Sequence, residues 1–155
     1  LARPKSGIQK KKDPEENMKK AQRTLITWLA EEPRLYERVK KYITAQDFTL
    51  ELYRRVAEKM FRELETGSFE PAGVISMFED EEQQREAALL FHTRLPRLET
   101  GQEREKAFRD VLLCVKKNSY ENNIARMGAD VNALSAAIQG KKELEALAKT
   151  HISLD

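Results

Sequence analysis

The segment from Thr100 to Met127, TGQEREKAFRDVLLCVKKNSYENNIARM, decides the fold. Thr100 followed by Glu103 is a capping-box pattern, in which a hydroxyl and a carboxylate each satisfy a backbone N–H that the first helical turn leaves unpaired. No Gly or Pro interrupts Glu103 to Met127, so the pattern predicts one helix of roughly 25 residues, about 37 Å long. Phe108, Val111, Leu112 and Val115 form a dense apolar stripe in its first half. Lys116, Lys117, Asn118, Ser119, Asn122 and Asn123 then dilute that stripe and lower helix propensity. The spacing therefore predicts a helix that outruns its bundle after Val115, with a hinge over 118–123.

Downstream, Gly128 and the cap candidate Asp130 mark a tight reversal, and Val131, Leu134 and Ile138 begin a last helix. Leu144, Leu147 and Ile152 extend its apolar face, and His151 lies in the terminal turn, where it can complement the helix dipole or touch a partner. Two helices alone have little core. Tyr120, Ile124, Met127, Val131, Leu134, Ile138, Leu144 and Leu147 exceed what the pair can bury between them, so these residues, with His151 and Ile152, are the candidate partner-binding set. Deleting residues 116–155 is expected to leave the bundle folded.

Upstream, Asp13, Pro14 and Glu16 open a helix whose stripe is Met18, Ala21, Leu25, Trp28 and Leu29, and Pro33 ends it. A short helix follows to about Lys41, burying Leu35 and Val39. Thr49 is the cap candidate for a third helix carrying Leu52, Val56, Met60 and Leu64, with Gly67 as its stop. A fourth begins near Pro71 with Val74, Ile75 and Phe78, and Asp80 with Gln83 opens a fifth that ends before Pro96. The whole is all-α: a basic linker over 1–12, a compact multi-helix bundle over 13–115, and a C-terminal helical hairpin over 116–155. With 155 residues, 35% charged, only 6 Gly and 5 Pro, the composition favours helices and is long enough for a core.

Charge and motif content exclude several function classes. Residues 1–20 hold seven basic side chains against three acidic ones, so the overall charge of +2 conceals a slightly acidic folded part, and direct nucleic-acid binding by that part is disfavoured. The Lys10–Lys12 run reads as a solvated linker or a phosphate-contacting tail. A single cysteine, Cys114, and two separated histidines give neither a disulfide nor a zinc site. Gly140-Lys141 has Ser135 and Lys142 where a phosphate loop needs Gly and a hydroxyl. The acids Glu79 to Glu82 are consecutive and splay around a helix start, and His92 reads as structural. No catalytic residue, metal or cofactor is expected, and the absence of a membrane-span or signal-peptide pattern predicts a cytoplasmic location.

The run from Ala21 to Leu29, then Glu32-Pro33, Gln46-Asp47-Phe48, Tyr53-Arg54-Arg55-Val56 and Leu64 before Gly67 resembles the C-terminal helicase-interaction domain of bacterial DNA primase. The resemblance spans residues 16–155 and is strongest to about residue 70. It implies a non-catalytic module that docks on the replicative hexameric DNA helicase, stimulates it and brings primer synthesis to the fork; single-stranded-DNA-binding protein is a second implied partner. The N-terminal domain of that helicase has a similar fold and Asp-Phe signature, and an independent all-α nucleic-acid-binding domain is a third reading. A basic linker ahead of the fold and a chain that stops after the hairpin favour primase, and the first residue, Leu1, reads as a cut from a longer polypeptide.

Overall fold

The computed structural model describes residues 14–154. The expected linker over 1–12, its phosphate-contacting alternative and the Asp13 cap lie outside the described residues. Among the described residues seven α-helices follow one another: α1 (Pro14–Glu31), α2 (Tyr36–Val39), α3 (Glu51–Thr66), α4 (Pro71–Ser76), α5 (Glu81–His92), α6 (Gly101–Met127) and α7 (Ala133–Ala148). Two 3-10 turns, Pro33–Leu35 and Ala45–Asp47, complete the order, and the described residues contain no strand. The fold is all-α.

Helix α1 is the hub. It packs against α3, α5 and α6, so Leu25, Ile26, Thr27, Trp28 and Leu29 are all buried, as befits a helix surrounded by others. Its one buried hydroxyl is satisfied, Thr27 Oγ1 donating to the Leu90 carbonyl at 2.8 Å. Trp28 meets Phe108 of α6 edge to face, with ring centroids 5.1 Å apart. Trp28 Nε1 also donates to Glu32 Oε2 at 3.1 Å, and Arg104 pairs with the same carboxylate. Glu32-Pro33 thus ends α1 and fastens it to the start of α6.

Most end signals act as the sequence predicts. Thr100 Oγ1 accepts from Glu103 N at 3.0 Å while Glu103 Oε1 accepts from Thr100 N at 3.2 Å, the reciprocal cap of α6. Asp80 caps α5 by accepting from Gln83 N. Gly67 closes α3 in the left-handed region at φ 72°, a conformation that costs glycine least. Thr49 is a correction: Leu50 precedes α3 without a side-chain cap. The Thr49 hydroxyl instead accepts from Gln22 Nε2 and Asn118 Nδ2, each at 2.9 Å, because it sits where α1, α3 and α6 converge.

The boundary between bundle and hairpin is a second correction. The bundle holds α6 well beyond Val115: Lys116, Asn118 and Ser119 all bond to the segment Asp47 to Thr49. Of the residues read as a propensity dip and a hinge, Lys116, Asn118 and Ser119 thus contact the bundle while Lys117, Asn122 and Asn123 are exposed, and α6 continues unbroken to Met127. Helix α7 runs back along α6, and the chain after it re-enters the core, where Leu147, Ile152 and Leu154 are buried at 6%, 6% and 2% exposure. Those three side chains count against the expectation that deleting residues 116–155 leaves the bundle folded.

Candidate partner-docking surface

The α6–α7 pair has a fixed end and a free end. At the reversal, Gly128 adopts φ 59°, and Asp130 Oδ1 accepts from Asn132 N at 2.8 Å in a local turn. That bond delays α7 to Ala133, so Val131 lies in the turn and not in the helix. Val131, Leu134 and Ile138 are 91%, 72% and 50% exposed. From the turn into α7 they are spaced i, i+3, i+7, which places the two helical positions on one face with Val131 just ahead of them.

The other candidate residues separate by depth. Tyr120, Ile124, Met127 and Leu144 are half-buried. His151 is exposed, with Nε2 2.8 Å from Glu105 Oε1. Leu147 and Ile152 belong to the main core and are corrections to the candidate set: as buried side chains they offer a partner no surface. Leu154 was missed. Its signal is the alternation Ile152, Leu154 after Thr150, the period of an extended segment with one face inward. Arg34 Nη2 donates to the Leu154 carbonyl at 3.3 Å and holds that segment down.

Between the two ends runs a polar chain. Asp47, 7% exposed, accepts from Thr44 N at 2.9 Å within its own turn. It also takes both of its oxygens to Lys116 Nζ at 3.1 Å, and Oδ1 to the Ser119 hydroxyl at 2.7 Å. The Lys116 ammonium lies 5.0 Å from the centroid of the Tyr120 ring. Tyr120 in turn packs against Gly140 of α7, where an added Cβ would stand 3.2 Å from Tyr120 Cγ, and its hydroxyl donates to Glu143 Oε2 at 3.1 Å. Burial, reinforced by the Glu143 carboxylate, pushes the Tyr120 phenol up to about 12.

A concavity of about 600 Å³ lies elsewhere, between α3 and the Ala45–Asp47 turn. Its cations are partly engaged: Lys40 bonds to Glu65 and Glu37 at 2.9 and 3.0 Å, and Lys59 to Glu63 at 2.7 Å. The hydrogen bonds from Lys40 hold the Glu65 carboxyl below its ordinary value. Burial pushes the Cys114 thiol up, away from the thiolate form that reacts. Among the described residues no three His, Cys, Asp or Glu side chains converge as metal ligands, and no helix is long and apolar enough to cross a membrane.

Set against protein-family models, curated proteins and solved structures, the chain has no match in any of the three.

Proposed function

We propose that this chain is a non-catalytic docking module of a bacterial replication primase, and that the free end of its α6–α7 pair seats on the replicative hexameric helicase in the cytoplasm. The observation that carries the reading is the exposure of Val131, Leu134 and Ile138 at the end of a hairpin whose other end is built into the core. Isolated apolar side chains on a surface are ordinary, but Leu134 and Ile138 on one helical face, with Val131 in the turn just ahead of them, form an anchor for an apolar groove. The sequence resemblance over Ala21 to Gly67 supplies the identity of the partner. Docking there stimulates the helicase and brings the parent polymerase to the fork.

Size-exclusion chromatography with the cognate replicative helicase tests this. The wild-type chain co-elutes with the hexamer, and the double substitution Leu134→Asp, Ile138→Asp abolishes co-elution with no change in far-UV circular dichroism. A wild-type chain that never co-elutes, or a double variant that still does, overturns the proposal. Self-association of the wild-type chain into a ring would favour the helicase N-terminal domain instead.

A further inference from the structure

We propose that Asp47 is a positioning residue: acting through Lys116 and Tyr120, it fixes the direction in which the free end of the α6–α7 pair leaves the bundle. That this direction serves docking rests on the function proposed above; the positioning itself does not.

The inference starts from the stripe of α6. Phe108, Leu112 and Val115 are fully buried, and continuing the stripe by one more turn places Ser119 against the bundle, with Lys116 beside it. An apolar residue at 119 would extend the core. Apolar contact is non-directional, so by itself it specifies the orientation of a helix less sharply than bonds of fixed geometry do. Hydrogen bonds are directional in both distance and angle. At this point the sequence changes from the first kind of contact to the second. Asp47 receives Lys116, Ser119 and its own Thr44 amide, and the Asn118 amide reaches Thr49 one turn away. The Asp47 and Lys116 side chains are only 11% and 13% exposed. A buried ion pair is a poor source of stability compared with apolar residues of equal volume, and its best-attested use is to fix register and orientation.

The constraint is passed on to α7. The ammonium held by Asp47 sits over the Tyr120 ring, and that ring occupies the space left by the missing side chain of Gly140. Tyr120 also bonds to Glu143. Both helices of the pair are therefore referenced to one carboxylate in the Gln46-Asp47-Phe48 turn, and that turn is braced against α3. Beyond Tyr120, exposed Glu121, Asn122 and Asn123 leave α6 with α7 as its neighbour.

The test measures tip-to-bundle distance in the full chain without any partner, using spin labels at Ser135→Cys and Glu79→Cys in a Cys114→Ala background. The unaltered latch gives one narrow distance distribution. The double substitution Asp47→Asn, Lys116→Met removes the charge pair without leaving either charge orphaned; it shifts and broadens the distribution while far-UV circular dichroism stays at the reference level. Ser119→Ala buries no charge and keeps the test decisive should the double variant fail to fold; it broadens the distribution by a smaller amount. A folded double variant with the reference distribution, or a reference distribution in Ser119→Ala when the double variant is unfolded, overturns the proposal. Helicase co-elution is measured separately. Broadened distances alongside a wild-type chain that does not bind helicase would leave the latch standing and remove the docking reading.

Discussion

Leu112, Val115 and Leu147 at one end of the α6–α7 pair are 0%, 0% and 6% exposed, whereas Val131, Leu134 and Ile138 at the other are 91%, 72% and 50% exposed. Both ends are built from aliphatic side chains. What differs is the surroundings: α1 packs on α6 where Leu112 and Val115 lie, whereas α6 is the main neighbour of α7 at the other end. Periodicity reports which side of a helix is apolar, but burial depends on whether another element lies opposite it. The fixed end is thus a matter of stability and the free end, on the docking proposed above, a matter of recognition, and substitutions at the two should separate cleanly.

The largest effect is expected from ending the chain at Lys116. Leu147, Ile152 and Leu154 leave the core, and at about 1.5–3 kcal/mol per buried aliphatic side chain the loss approaches the whole stability of a domain this size. The truncated protein should lack a cooperative thermal transition. A cooperative melt near that of the intact chain would mean the two ends are not different after all. Next comes Asp47→Ala, which leaves Lys116 buried and unpaired; a loss of about 3–5 kcal/mol in urea unfolding is expected. Leu112→Ala should cost about 2–5 kcal/mol by its cavity, whereas Leu134→Ala should stay within about 0.5 kcal/mol of the intact chain. Comparable losses at Leu112 and Leu134 would erase the contrast between the ends.

The seam between the helices is expected to give an intermediate result. Gly140→Val places branched atoms where Tyr120 stands, so a loss of about 1–3 kcal/mol is expected from overpacking, against the small gain of replacing Gly in a helix. Urea unfolding with the Tyr120→Ala background decides it: the penalty should shrink once the ring is gone.

Helix existence and most of the helix ends were legible because they depend on neighbours within four residues. Thr100 with Glu103, Asp80 with Gln83, and Gly67 each act locally. Thr49 was misread for the opposite reason. A hydroxyl ahead of a helix is a cap only if nothing else competes for it, and Gln22 and Asn118 arrive from 27 and 69 residues away. The stretch Lys116 to Ser119 was misread in the same way: its polar residues predict weak local helix propensity, and the tertiary bonds of Lys116, Asn118 and Ser119 to the Asp47–Thr49 segment override it. Of the candidate site, the exposed residues near the reversal were legible from spacing. The burial of Leu147 and Ile152 was not, since it depends on where the chain returns.

The smallest expected effect tests the middle of the pair, where the fixed end gives way to the free one. Neutral Tyr120 donates a hydrogen bond to the Glu143 carboxylate, whereas its phenolate would face that carboxylate as a like charge in a half-buried setting. Burial first, then Glu143, raises its folded pKa from 10.0 to about 12. A group whose pKa is raised by folding contributes stability that is intact below the unfolded pKa and lost as pH rises through the folded one. The Tyr120 contribution should therefore hold to about pH 10 and disappear toward pH 12. The chain has four tyrosines, and burial also raises Tyr36 and Tyr53, so the measurement is a difference: phenolate absorbance of the intact chain minus that of Tyr120→Phe. The difference should titrate well above 10, and Glu143→Gln should lower its midpoint by removing the like charge. A midpoint at the ordinary tyrosine value, unmoved by Glu143→Gln, would mean that α7 does not lie on Tyr120 and that the grip on the pair ends at Ser119.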